Sequence, residues 1–164
     1  MTIPARKLHL VRTLTAMQPG EASPHGLRRL TRADIEALGR LFYAAYDGTV
    51  DYEGETEPEA VAVVRAAFDG DYGAFVEDAS MGIERDRQLV SASLVTMWNG
   101  KPLLAFAVTA PEWKGRGLSR QCVAAAMQTL AAAGQPELHL FVTASNLPAL
   151  AVYKQLGFAN AGAA

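Results

Sequence analysis

The chain has 164 residues, half of them apolar and a fifth charged, which is enough to bury a core in one domain of ordinary size. A formal net charge of −2 excludes a surface built for nucleic acid, which needs a Lys/Arg surplus, and the single cysteine, Cys122, excludes an internal disulfide or a thiolate zinc cluster. No apolar run reaches the ~18 residues of a membrane span and the N-terminal segment lacks a signal-peptide core, so a soluble cytoplasmic domain is expected.

Residues 1–25 read as an N-terminal extension in which Leu8-His9-Leu10-Val11 is strand-like and Gln18-Pro19-Gly20 and Ser23-Pro24 are loop. One domain is then expected over residues 26–164. Leu27 to Leu30 predicts a short strand. Thr31 and Asp34 have capping-box spacing, with Asp in place of the usual Glu or Gln. Ile35, Leu38, Leu41, Phe42 and Ala45 follow helical spacing, which predicts a helix over 32–46. The aperiodic stretch from Asp47 to Glu55 predicts a loop. Pro58 suits the first turn of a second helix carried by Val61, Val64, Ala67 and Phe68.

After Gly73 the pattern changes to strands. Ala79 to Glu84 and Leu89 to Trp98 predict two strands joined by the polar turn Arg85-Asp86-Arg87-Gln88. Asn99-Gly100 is a two-residue hairpin signal, because both positions need positive φ, and Lys101 to Thr109 is the partner strand. Its run Leu103 to Val108 is apolar throughout, as expected of a central strand covered on both faces. Gly115-Arg116-Gly117 opens a helix with Leu118, Cys122, Ala126 and Leu130 on one stripe, ending at Gly134. Leu138 to Thr143 predicts a buried strand, and Pro148 starts a last helix stopped by Gly157.

Charge is unevenly spread along this order. Ten of the seventeen acids fall between Asp47 and Asp78, whereas Glu21 is the only acid before Asp34. A solvated acidic face is one reading; a field that attracts a cationic substrate is the other.

The segment from Val108 to Ser119 concentrates the chemistry. A buried strand delivers the chain to a glycine loop and then to a helix start, whose first N–H groups have no helical acceptor and carry the positive end of the dipole. Lys114, Arg116 and Arg120 add full charges. Together these form an anion cradle suited to phosphate or pyrophosphate. A P-loop is excluded because no Gly-Lys-Ser/Thr occurs, and a dinucleotide fingerprint because Arg120 stands at its third glycine. The three histidines have no HxxxH or HExxH spacing, so no metal is expected.

Two blocks resemble the GCN5-related N-acetyltransferase (GNAT) family. The acyl-CoA motif Q/R-x-x-G-x-G/A maps onto Lys114-Gly115-Arg116-Gly117-Leu118-Ser119, with Lys114 replacing Gln/Arg and Ser119 replacing Gly/Ala. The second block, Asn146 to Phe158, resembles N-x-x-A-x-x-x-Y-x-x-x-G-F. The resemblance covers Ala79 to Phe158. It implies an α+β fold in α/β/α layers, with a mixed, mostly antiparallel twisted sheet flanked by about four helices.

It also implies acetyl-CoA as co-substrate, with its pyrophosphate on Lys114, Gly115, Arg116, Gly117, Leu118 and Ser119. The pantetheine arm would lie along Phe106, Ala107 and Val108, where the strand splays from its neighbour, with Asn146 as a further partner of that arm. Tyr153 is the matched general acid for direct attack by an amine through a tetrahedral intermediate. The central strand offers no carboxylate as a base. The acidic loop would border the acceptor cleft, so Asp51, Glu53 and Glu55, with Asp47 and Glu57 on the rim, point to a cationic small-molecule or peptide amine. A non-catalytic acyl-CoA-binding regulatory module on the same scaffold is the other reading. The family usually adds one or two strands after Gly157-Phe158, where Ala159 to Ala164 are too few and too rich in Ala and Gly. The sheet is therefore expected to lack those strands, or to be completed by a partner in a homodimer or by Leu8 to Leu14 at its edge.

Overall fold

The computed structural model describes residues 6–15, 17 and 23–162. The predicted loop at Gln18-Pro19-Gly20 lies outside these. The chain forms β1 (Lys7–Thr13), β2 (Leu27–Arg29), α1 (Ile35–Tyr46), α2 (Glu57–Phe68), β3 (Met81–Arg85) and β4 (Gln88–Trp98). It continues through β5 (Lys101–Thr109), α3 (Leu118–Ala132), β6 (Glu137–Thr143), α4 (Leu147–Gln155) and β7 (Ala159–Asn160). The seven strands make one mixed, open sheet in the order β2-β3-β4-β5-β6-β1-β7. Among the described residues no helix is long and apolar enough to cross a membrane.

Local chemistry accounts for the element ends. The helix expected from residue 32 begins as a 3-10 turn, Arg32–Asp34, before α1. Asp34 Oδ2 accepts a hydrogen bond from Thr31 N–H at 2.8 Å, and the Arg28 guanidinium grips both Asp34 oxygens at 2.7 and 2.8 Å. That bidentate pair holds the Asp34 carboxyl below its ordinary pKa, against the cost of burial, and ties β2 to the start of α1. Thr56 caps α2 by accepting from Glu59 N–H. The strand expected from Ala79 starts two residues later, at Met81, because Glu77–Ala79 closes a 3-10 turn. Asn99 and Gly100 take the positive φ values, 49° and 76°, that their hairpin requires.

The faces of the sheet carry separate cores. Ala92, Leu94, Phe106 and Val108 pack against α1 and α2, whereas Val95, Leu104, Leu138, Leu140 and Val142 pack with Val123, Met127 and Tyr153 of α3 and α4. One irregularity serves both. Leu94 pairs with Phe106 but Val95 pairs with Leu104, so Ala105 is an extra residue on β5. The bulge sends Leu104 to one face and Phe106 to the other. It also corrects the expectation that β5 is covered on both faces: Ala105 is exposed and Leu103, Ala107 and Thr109 are only half-buried, because Ala105, Ala107 and Thr109 border a cleft and Leu103 a cavity beside it.

Parallel pairing between β5 and β6 is confined to Leu103 with His139 and Leu104 with Leu140. Past the bulge the two strands part. β6 pairs instead with β1, antiparallel from Lys7 opposite Thr143 to Thr13 opposite Glu137. β7 covers only Leu10 and Val11 of β1. At its approach Gly157 has φ 88°, and a Cβ there would lie 2.7 Å from Arg12 Nε, which donates to Leu156 O at 2.8 Å. Cys122 is wholly buried on α3, where burial pushes its thiol up to about 12, as suits a packing residue.

Candidate functional site

The V between β5 and β6 opens a cleft of about 870 Å3 that runs from the start of α3 to the loop between α1 and α2. Its first end is made mostly of backbone. Gly117 stands at the N-cap of α3 with φ 77° and no side-chain cap, and the first helical bond runs from Gln121 N–H to Gly117 O. The N–H groups of Leu118, Ser119 and Arg120 therefore have no helical acceptor. An L side chain at Gly117 would be strained by that φ, and its Cβ would lie 3.4 Å from Arg120 Nη2.

Lys114, Gly115, Gly117, Leu118, Ser119 and Arg120 line this end. The basic residues are used unequally. Lys114 Nζ donates to Ala45 O at 3.3 Å, fastening the loop to the end of α1. Arg116 is turned back over the Trp113 ring at 4.5 Å and is not part of the lining. Arg120, rather than Arg116, is the guanidinium that borders the cleft. Amide donors, a helix N-terminus and a guanidinium form a donor set that fits a pyrophosphate. In the middle of the cleft, Phe106, Ala107 and Val108 line the wall, and the β5 edge facing β6 is unpaired by that strand. An extended amide-bearing arm fits such an edge.

The second end is made of side chains from distant segments. Asp51, 17 % exposed, accepts hydrogen bonds from Thr143 Oγ1 at 2.6 Å and Asn146 Nδ2 at 2.8 Å. Lys7 Nζ donates to Thr143 Oγ1 at 2.9 Å and stands 4.0 Å from Asp51 Oδ1. Asn146 also accepts from Ala149 N–H through Oδ1, capping α4. The residue expected to hold a cofactor arm thus has both ends of its amide engaged within the protein, one of them on Asp51.

Tyr153 lines the cleft beside this group, and burial, reinforced by the Asp51 charge, pushes its phenol up to about 12. Tyr46 is raised too, by burial and then by Tyr153, Asp51 and Glu55, and all four of these side chains line the cleft. Glu53 and Glu55 border the cleft, and Glu55 Oε2 accepts from Glu53 N–H at 3.0 Å. Asp47 and Glu57 are exposed outside the lining.

Sequence reasoning missed Lys7, Phe42, Tyr46, Phe141 and Thr143, which all line the cleft. Phe141 carried a readable signal: it lies between the buried Leu140 and Val142, so its ring must face the other way, and it is 45 % exposed. Thr143 and Lys7 had none. His139 stays outside the cleft, buried, with Nδ1 2.9 Å from His9 Nε2, and burial lowers its pKa. Among the described residues no three His, Cys, Asp or Glu side chains form a metal-holding group.

A model of the acetyltransferase (GNAT) family matches residues 11–158. A mycothiol acetyltransferase of Nocardiopsis dassonvillei is 45% identical over 49 residues, 30% of this chain and 15% of that protein. A GCN5-related N-acetyltransferase from Sphaerobacter thermophilus superposes with a TM-score of 0.73 at 17% identity, over 96% of this chain and 49% of that one. The PaiA N-acetyltransferase of Thermoplasma acidophilum, solved with coenzyme A, gives 0.62 at 16% identity, over 80% of this chain and 87% of that one. The chain thus spans about half the length of the Sphaerobacter protein and a small part of the mycothiol enzyme.

Proposed function

The chain belongs to the acetyltransferase (GNAT) family, and from that premise we propose that it transfers an acetyl group from acetyl-CoA to a primary amine of a cationic small molecule or peptide. The observation that carries this reading is a single cleft with a backbone anion cradle at one end and Asp51 beside Tyr153 at the other.

Acetyl-CoA supplies the activated thioester. The N–H groups of Leu118, Ser119 and Arg120, with the Arg120 guanidinium, hold its pyrophosphate. The open edge of β5 along Phe106, Ala107 and Val108 orients the arm and offers main-chain donors to the carbonyl. At the other end Asp51 attracts the acceptor's ammonium, with Glu53 and Glu55 adding negative charge at the mouth. Thr143 and Asn146 fix its carboxylate. Because β5 carries no acid, Asp51 is also the group placed to take the proton that the amine must lose before it attacks. Tyr153 remains a phenol throughout the physiological range and gives its proton to the departing thiolate. The burial that keeps that proton in place also weakens the acid, so the transfer depends on close placement against the sulfur.

Calorimetry with acetyl-CoA, followed by acetyl transfer to a panel of amines, tests the reading. Binding with transfer to polyamines or lysyl peptides, and little to neutral or anionic amines, is the expected result. Binding without transfer to any amine would assign the chain to the non-catalytic acyl-CoA-binding class. An absence of binding would dismiss both readings.

A further inference from the structure

Past the Ala105 bulge lies a second, apolar cavity of about 310 Å3, between the sheet and α1 and α2. Ala67 and Leu103 are among its walls, and it adjoins the main cleft along Phe42, Tyr46, Val63, Ala105 and Phe106, which line both. Thr96 lines it from β4, fully buried, and Thr96 Oγ1 has no hydrogen-bond partner among the described residues. Buried hydroxyls are ordinarily paired, so an orphan bordering a cavity points to something that enters it.

Order along β5 shows which end of a bound molecule that is. Thr109 leads through Pro111 into the glycine loop, Phe106 to Val108 form the open edge, Ala105 is the bulge, and Leu103, paired with Thr96, lies beyond. A molecule anchored at the cradle and laid along this edge directs its acyl end past Ala105. The acceptor side is elsewhere, where Asp51 is held by Thr143 and Asn146 at the end of β6.

We propose that this cavity is an acyl pocket, taking chains longer than acetyl, and that Thr96 lets it accept chains that carry a hydroxyl as readily as plain ones. The proposal rests on the acyl-CoA reading of the main cleft. It makes acetyl transfer one case of a broader short-chain acyl transfer, with the same bonds formed and broken at the thioester carbonyl and only the chain beyond it changed.

Calorimetry of the whole chain with acetyl-CoA, butyryl-CoA and 3-hydroxybutyryl-CoA tests it without any acceptor. Each methylene buried adds about fourfold in affinity, so butyryl-CoA, two methylenes longer, is expected to bind about fifteenfold tighter than acetyl-CoA. 3-Hydroxybutyryl-CoA should match butyryl-CoA, because Thr96 satisfies the added hydroxyl. Ala67→Leu, which fills the cavity, should abolish the preference for butyryl-CoA while leaving acetyl-CoA binding unchanged. Thr96→Val keeps the shape, and so serves even if the Ala67 variant does not fold. It should raise the melting temperature, keep the butyryl preference and weaken 3-hydroxybutyryl-CoA about tenfold relative to butyryl-CoA. Acetyl-CoA binding with butyryl-CoA no tighter would overturn the pocket and leave the cleft reading standing. Failure of all three thioesters to bind would overturn that reading and the pocket with it. An unchanged 3-hydroxybutyryl to butyryl ratio in Thr96→Val would remove Thr96 from the proposal.

Discussion

The two ends of the cleft are built in different ways. At the α3 end, neighbours in sequence do the work: Gly115 and Gly117 turn the chain with positive φ and the next three residues present their amides. At the α4 end, Asp51 is held by Thr143 and Asn146, more than ninety residues away in the chain, and stands beside Tyr153. Backbone donors belong to any sequence that makes the turn, so the first end tolerates side-chain change. The second depends on side chains brought together only by folding, so a substitution there removes a contact that the backbone does not replace.

The largest expected effect is at that second end. Tyr153→Phe should cost about 10²–10⁴ in kcat while acetyl-CoA binds as before in calorimetry. An undiminished rate would return Tyr153 to a packing role with Phe158, its edge-on neighbour. Asp51→Asn should raise KM for a cationic amine by about tenfold to a hundredfold, since a hydrogen bond to a charged partner contributes about 1.5–3 kcal/mol, and should lower kcat as well, because it also removes the group that takes the amine's proton. Acetyl-CoA affinity should stay put; if it fell equally, Asp51 would belong to the first end.

Gly117→Ala supplies the converse. Holding alanine at φ 77° costs about 1–2 kcal/mol, to be read as a lower melting temperature together with weaker acetyl-CoA binding. KM for the amine should not move. The smallest effect is outside both ends. Asp34 has its pKa depressed by Arg28, so its contribution to stability is present above the ordinary carboxylate value of about 4 and is lost as pH falls through the lowered one. Thermal melts from pH 6 to 3 should show a fall in wild type that Asp34→Asn flattens, with acetyl-CoA affinity at pH 7 the same in both.

Much of the scaffold was legible from residue pattern. The strand Lys101–Thr109 has the bounds its hairpin signal implied, and the stripe Leu118, Cys122, Ala126, Leu130 is buried as its spacing required. The bulge was not legible. Leu103 to Val108 is apolar at every position, so a frame shift at Ala105 leaves no mark on the pattern, although it opens the cleft and frees the strand edge. Phe42 read as one more member of the α1 stripe, yet it lines the cleft, because helical spacing defines a face and not what covers it. The position of Asn146 could be read from its motif, but not its grip on Asp51.

The sequence by itself determined the glycine turn, the uncapped start of α3 and the order of strands and helices, because these follow from φ preferences, hydrogen-bonding needs and apolar spacing over a few residues. Only the tertiary structure decided which acid of a loop rich in them meets Thr143 and Asn146, which guanidinium borders the cradle, and where β5 and β6 part. Those outcomes depend on distances between segments far apart in the chain, which no local pattern encodes.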